Sequence, residues 1–401
     1  MVKHLFKLIW NKKKQNFLLI LEMIISFMVM FAVFTLLVFC YYNYRQPMGF
    51  DYENVWTVSF TPPDNIKQAD SVEMFHDALR KQLLSMPQIK AVSFCGSNVP
   101  FSMSTHNTRL STANNTDVET YVYNVEDSYK DVLNLHVLEG RWLSKEDFTP
   151  NKYVPAVISK NLKEQFFGQD NAVGKIIGEP DINSTTGASI DRYRVVGVVD
   201  NIKDKGEYHA IENGLYVLLD TAWYTWAGNM VLKVSPDVDA DFEGKLFKAL
   251  SNTIGTSIEI EHLDKKLVDI NKVMLVPLII ASIIAGFLII NVALGLFGVL
   301  WYNINKRKAE IGLRRAVGAT GKAVSKQLVS ESLVLSTLSL IVGFFFAVQF
   351  PLLNVFDLSA SIYATAIVLA IIFIYLLVFI CSVFPGRQAA AIYPATALHE
   401  D

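Results

Sequence analysis

Only three cysteines occur in the chain, and two of them, Cys40 and Cys381, fall in or beside apolar runs, leaving Cys95 alone in the long polar middle. That middle has no internal disulfide to staple it and must fold on a hydrophobic core. The seven histidines are scattered, with no HExxH and no Cys/His ligand spacing, so no metal site is expected. No GxSxG elbow or comparable nucleophile context is present. The nearest imitation of a phosphate loop is GATGK at 318–322. There Ala323 stands where a Ser or Thr would hold magnesium, and no strand precedes the glycine. With nucleotide, metal and nucleophile sites all missing, the chain is not expected to be an enzyme or to hold a cofactor. Charge is scarce too, at 18% of residues, and its near-balance (net −2) hides an uneven distribution. Because the basic residues cluster in short loops between apolar runs, they speak for membrane orientation and against nucleic-acid binding.

Long apolar runs, by contrast, are plentiful. Residues 17–42, 273–302, 328–350 and 362–384 are each long enough to cross a hydrocarbon core of about 30 Å, which takes about 20 helical residues. The first is too long for a signal-peptide core and has no small-residue cleavage motif after it. Lys3, Lys7, Lys12, Lys13 and Lys14 crowd the tail 1–16, and seven basic residues face one acid, Glu310, in the loop 303–327. Loop 351–361 has only Asp357. The positive-inside rule therefore puts both termini (1–16 and 385–401) and the loop 303–327 in the cytoplasm, with 43–271 and 351–361 outside. The segment 2–10, with Leu5, Leu8 and Ile9 beside Lys3 and Lys7, reads as an amphipathic stretch lying on the inner membrane surface. Glu22, about 8 Å from the cytoplasmic end of its span at 1.5 Å per residue, reads as a side chain reaching the headgroups. Asn291, deeper in the second span, is expected to face another helix, and Ala281 and Ala285 offer small-residue packing there.

The outer stretch 43–271 begins and ends alike. Strand-like 54–60, amphipathic 69–85 (Phe75, Leu79 and Leu83 on one face) and strand-like 89–94 are echoed by 230–234, 238–250 (Phe242, Leu246, Leu250) and 257–260. Two βαβ units of this size can share one sheet in a split ferredoxin-like arrangement. The middle, 96–228, is then an insertion with mainly β character: 156–159 and 193–199 have the β-branched density of buried strands, whereas 102–117 and 181–189 are polar and turn-rich. The expected fold class is a four-span α-helical membrane protein carrying a large α+β outer domain. Residues 263–276 are polar and free of glycine. The second span is thus expected to start as a stalk at 263–272 and to run through Pro277 with a bend.

Within 303–327, residues 309–316 favour helix; Glu310 and Arg314 lie four apart and should pair, leaving Arg315 for a partner. The phrase KAEIGLRRAVGAT at 308–320 resembles the signature that follows the second span in FtsX/MacB-like permeases, the four-helix subunits of type VII ABC transporters. MGFDYENVWTVSF at 48–60, LNLHVLEGRWLSKED, VPAVISKNLKEQFFGQDNAVGK and YRVVGVVDNIK are similar to phrases of the MacB-like periplasmic core domain. The tail FPGRQAAAIYPATALHED is close to the family's usual ending, with His399 where an arginine is common. The resemblance implies a porter-like subdomain (50–95 and 229–262) with an inserted one (96–228) in a bacterial inner-membrane protein. It also implies a coupling helix formed by Glu310, Ile311, Gly312, Leu313, Arg314, Arg315, Ala316, Gly318 and Ala319. That helix would dock on a separate cytoplasmic ATPase, which supplies ATP and Mg. Two permeases, identical or similar, would pair, and a periplasmic adaptor and outer-membrane channel are implied partners for efflux of peptides or drugs; lipoprotein extraction is the other implied use. Regulation of cell-wall hydrolases and ligand sensing without ATP are the alternative readings.

The topology is tested by thiol labelling. A cysteine replacing Arg314 should react only after the membrane is permeabilised, and one replacing Asp357 should react from outside in intact spheroplasts; the reverse pattern refutes the orientation.

Overall fold

The computed structural model describes residues 13–61, 69–111, 117–147, 153–178, 193–219, 228–255 and 257–391. The segment 2–10, the turn-rich stretch 181–189 and the tail beyond 391 lie outside these. The first elements are helix α1 (Lys13–Tyr44), strand β1 (Val55–Phe60), helix α2 (Ala69–Leu84) and strands β2 (Ile89–Cys95), β3 (Asn107–Ser111) and β4 (Asp117–Val125). Next come helix α3 (Tyr129–Leu133), strands β5 (Val137–Gly140) and β6 (Val154–Ser159), helix α4 (Lys160–Phe167) and strands β7 (Ile176–Ile177), β8 (Tyr193–Val199), β9 (Gly214–Leu218) and β10 (Asn229–Val234). Helix α5 (Ala240–Ile254), strand β11 (Ile258–His262) and helices α6 (Leu263–Lys306), α7 (Lys308–Ala316), α8 (Gly321–Leu352) and α9 (Ala360–Ala390) complete the order. The chain divides into two compact units, a helical one (1–42 and 275–401) and a sheet-bearing one (43–274).

In the sheet-bearing unit the strands run in the order β11-β1-β10-β2-β4-β9-β6-β8-β5, with β3 on β4 and β7 on β8. The first four are antiparallel throughout, and β10 separates the two strands of the first βαβ unit. This interleaving is the split arrangement expected from the sequence, and the echo between the ends of the outer stretch is its cause. Alternation in β1 turns Trp56, Val58 and Phe60 towards one face, where they meet Leu79 and Leu83 of α2 and Phe242, Leu246 and Leu250 of α5. Helix α5 is well delimited: the Asp239 side chain accepts from the Phe242 N–H at 2.9 Å, and Gly255, at φ +70°, closes the last turn.

Between β2 and β4 the sheet narrows to one paired position, Cys95 with Val125. Beyond it, β4 and β9 are parallel, β9 and β6 antiparallel, and β6 and β8 parallel. One face of this half carries a core of its own around Ile158, Leu162, Val198 and Leu215. The other face belongs to a core that reaches across the narrow point, because Val55 and Val231 join Tyr123, Val157, Val199 and Tyr216 in it. Leu263 and Leu267, the first apolar residues of α6, are buried in the same core.

Helices α1, α6, α8 and α9 are each long and apolar enough to cross a membrane. All outrun the apolar stretches, and stalk and second span prove to be one helix of 44 residues with Pro277 inside it. Helix α8 packs through a stripe of small residues, Ser332, Ser336, Ser339, Gly343 and Ala347, all buried. Each serine hydroxyl donates to the carbonyl one turn back, at 2.9–3.1 Å, so no donor is left unsatisfied in an apolar setting. Gly343 lets the Phe27 ring of α1 sit against the α8 backbone; a Cβ there would press on the ring.

Truncating a fully buried contact of the α5 face should cost what a core cavity costs. Leu246→Ala is expected to lose about 2–5 kcal/mol in denaturant unfolding of the purified chain. Phe247→Ala, at a side chain 46% exposed beside that face, should stay within about 0.5 kcal/mol of the parent.

Candidate functional site

The segment between α6 and α8 holds the most concentrated charge of the helical unit. Helix α7 has Glu310 in its first turn and Arg314 and Arg315 in its last, each sign placed where the helix dipole favours it. The expected pair forms, with Arg314 Nη2 donating to Glu310 Oε1 at 2.6 Å. It belongs to a larger network. Arg307 donates from Nε to Glu310 Oε2 at 3.0 Å and from Nη1 to Glu331 Oε2 at 2.9 Å. Gln327 accepts from Arg314 at 2.9 Å and donates to Glu331 at 3.0 Å. Its two carboxylate partners hold the Arg307 guanidinium above its already high pKa, so this cation stays charged at any working pH. Arg307, Gln327 and Glu331 escaped sequence reasoning. The available signal was Glu331 itself, an acid inside an otherwise apolar run.

Arg315 was expected to remain available, and here the structure corrects the sequence reading. Its Nη1 donates to the carbonyl of Ala390, at the end of α9. That carbonyl lies in the last turn, where helical partners run out, so the arginine satisfies an orphaned acceptor. Gly321 makes room for the contact, since a Cβ there would lie 2.8 Å from Arg315 Nη1 and 2.9 Å from the Ala390 oxygen. Ile311 and Gly312 are buried, and Ile311 packs with Ile304, Val324, Leu328 and Ala389.

The turn after α7 is compact for reasons readable in VGAT. Gly318 takes φ +104°, which costs a glycine nothing. The Ala319 N–H reaches the Arg314 carbonyl at 3.0 Å and the Gly318 N–H the Arg315 carbonyl at 3.1 Å, closing a Schellman motif. Thr320 then caps α8, its hydroxyl accepting from the Ala323 N–H at 3.2 Å. With one side of α7 held in this way, the other presents Glu310, Leu313, Arg314, Ala316 and Val317 outward. Two of these are large and apolar: Leu313 is 56% and Val317 82% exposed. Val317, one turn beyond Leu313, was not singled out from sequence.

The intramembrane candidates separate. Ala285 is buried in the helical core and Ala281 is half-buried. Asn291 lies on the exposed side of α6 and donates to the Phe287 carbonyl of its own helix at 2.8 Å. Glu22 does not extend away from the bundle as expected; its carboxylate lies against Gly295 of α6, where a Cβ would stand 2.7 Å from Oε1.

Among the described residues of the sheet-bearing unit, the most deeply buried titratable groups are engaged or held neutral. The Cys95 thiol is buried and burial pushes its pKa up, away from the reactive thiolate. Asp204 is buried as well, raised by desolvation, and accepts from the Tyr123 hydroxyl at 2.6 Å. Among the described residues no three His, Cys, Asp or Glu side chains are placed to hold a metal ion. A cavity of about 280 Å³ opens beside Tyr121, Lys205, Tyr208 and Ile270. Its cation is already engaged, Lys205 donating to the carbonyls of Ser102 and Ser104.

Two family models match successive parts of the chain. Residues 17–244 match the model of the MacB-like periplasmic core domain, and residues 282–394 that of the FtsX-like permease C-terminal region. The macrolide export ATP-binding/permease protein MacB of Bdellovibrio bacteriovorus is 22% identical over 71% of this chain and 44% of its own length. The ABC transporter permease YknZ of Bacillus subtilis is 24% identical over 57% of this chain and 56% of its own. The chain thus spans about half the length of these relatives. Among solved structures, the periplasmic region of MacB from Actinobacillus actinomycetemcomitans aligns with 55% of this chain and 94% of its own, at 19% identity and a TM-score of 0.37. On the two family matches, the chain belongs to the MacB/FtsX family of ABC transporter permeases, a multi-pass membrane protein in which a MacB-like periplasmic core domain is joined to an FtsX-like permease region.

Proposed function

We propose that this chain is the membrane subunit of a mechanically driven ABC transporter, in which a separate cytoplasmic ATPase docks on α7 and its nucleotide-dependent movement is passed to the extracytoplasmic domain. The observation that carries this reading is the two-sidedness of α7. Ile311, Gly312 and Arg315 fix one side to neighbouring helices, while Leu313 and Val317 stand in solvent with Glu310 and Arg314 beside them. A short helix held this firmly cannot yield when pushed. An apolar pair ringed by charge is the composition of a small docking patch, with desolvated anchors at the centre and a polar rim.

In this account α7 receives the load and its neighbours carry it. The Arg307–Glu331 pair ties the start of α7 to α8, and Arg315 ties its end to α9, so displacement of α7 draws both helices with it. ATP is bound with Mg and hydrolysed by the partner, and this chain contributes no group to hydrolysis. The exposed apolar side of α6, with Ile279, Ile283, Phe287, Ile290 and Leu294, is the surface on which a second permease copy would pair. The substrate class favoured is peptides or drugs handed to a periplasmic adaptor and outer-membrane channel, in keeping with the macrolide export named for the MacB relatives; lipoprotein extraction is the second use of the same architecture.

Replacing both Leu313 and Val317 by Asp should weaken co-purification of the ATPase by at least about tenfold, equivalent to about 1.4 kcal/mol. The thermal unfolding of the permease should not change, because both side chains are already in solvent. Retention of the ATPase at parental levels would remove α7 as the docking element.

A further inference from the structure

The loop between β8 and β9 holds a set of contacts that the reading above does not use. Its first half is welded to the sheet. The Asp200 N–H donates to the His136 carbonyl at 2.9 Å, and Asn201 exchanges two hydrogen bonds with Asn161, at 2.7 and 2.8 Å. The Phe101 N–H donates to the Asp204 carbonyl at 2.7 Å while the Asp204 carboxylate takes the Tyr123 hydroxyl. Its second half grips the two helix ends by which the chain enters and leaves this unit. Lys203, buried, donates from Nζ to the carbonyl of Asn43 at 2.6 Å and to that of Glu207. The Asn43 amide returns a bond to the Tyr208 carbonyl at 3.2 Å, and Tyr44 stacks on Tyr208 with ring centroids 5.6 Å apart. On the other helix, Asn271 accepts from the Glu207 N–H at 3.0 Å and donates to Glu207 Oε2 at 2.7 Å. Gly206, at φ +104°, lies so close that a Cβ would meet Asn271 Oδ1 at 2.9 Å.

Neither grip is an ordinary surface contact. A buried lysine must find partners for its charge, and the hydrogen bonds of Lys203 go to backbone carbonyls, one of them in the closing turn of α1. Burial lowers its pKa, and the Glu207 carboxylate nearby works against that shift. Asn271 continues the side of α6 that buries Leu263 and Leu267, so the helix is held by apolar contact at its start and by a two-bond clamp two turns later. One loop, residues 200–213, thus connects the sheet, the end of α1 and the start of α6.

We infer that this loop is the junction through which movement of the membrane helices enters the extracytoplasmic sheet, with Asn271 and Lys203 as its positioning residues. The inference rests on the mechanotransmission reading and adds where the load crosses. A helix that moves along or about its axis drags Asn271, and the clamp on the Glu207 backbone passes that displacement to Asp204 and Tyr123 rather than dissipating it in a slack loop. Lys203 keeps the closing turn of α1 in register with the same movement.

The test uses the full chain with its ATPase in lipid nanodiscs, with a donor dye on a cysteine replacing Lys248 and an acceptor lipid in the bilayer surface. Energy transfer is read with and without ATP. In Asn271→Asp the carboxylate still accepts from the Glu207 N–H but faces the Glu207 carboxylate. Adding Glu207→Gln restores a donor and removes the repulsion. The nucleotide-dependent change should fall at least fivefold in the single variant and recover in the double, with ATPase binding unchanged in both. An unchanged response in Asn271→Asp overturns the junction and leaves the mechanotransmission reading standing. No nucleotide-dependent change in the parent overturns both. Should the single variant fail to accumulate, Glu207→Ala breaks the same hydrogen bond from its acceptor side without opposing two carboxylates and is read against the same thresholds.

Discussion

Hydrocarbon offers no partner to a backbone N–H or C=O, and the whole architecture follows from that constraint. Inside the bilayer the chain must be helical throughout, which fixes α1, α6, α8 and α9 as unbroken elements. Because a helix does not stop where the hydrocarbon stops, α6 begins ten residues and more before its apolar run and arrives at the sheet still helical. Pro277 removes one backbone donor, and the helix continues through it. On the α6 side the chain therefore passes from the sheet-bearing unit to the helical one without leaving the helix.

Packing reinforces the same property at both ends of α6. At one end Leu263 and Leu267 are buried in the core that underlies both halves of the sheet. At the other, Ile304 packs with Ile311, Val324, Leu328 and Ala389, so the helix ends against α7, α8 and α9 together. Between them the helical bundle is drawn tight by small residues: the serine stripe of α8, Gly343 against Phe27, and Gly295 against the Glu22 carboxylate. Close backbone approach is the chief source of attraction between helices that gain nothing from leaving water, and it leaves little slack. Charge is spent in the same manner, since Arg307, Arg315 and Lys203 each join separate elements instead of decorating one.

How much of this was legible depended on whether the signal was local. The spans, the short charged helix between α6 and α8, β1, β2, β10 and both helices of the split unit stood out because hydrophobic periodicity and length report on neighbours a few residues apart. The Glu310–Arg314 pair was readable for the same reason, being one turn of one helix. Arg315 was misread because its acceptor is a carbonyl at residue 390, and no spacing rule relates the two. The junction loop was invisible for that reason too: Asn43, Lys203 and Asn271 lie far apart in the chain, and each alone is an unremarkable polar residue beside an apolar run. Glu22 was taken for a side chain seeking headgroups because one helix considered alone cannot show that Gly295 of another leaves a space for it.

The proposed mechanism requires α6, one helix from the sheet-bearing unit into its apolar run, to move as a single strut. Spin labels at Lys265 and Ile290, both on its exposed surface, bracket Pro277 and should be about 38 Å apart at 1.5 Å per residue. In the complete transporter the account predicts one narrow distance distribution that is the same with and without ATP. A broad or two-peaked distribution, or a separation that changes with nucleotide, would mean that the helix yields between domain and membrane, and would contradict it.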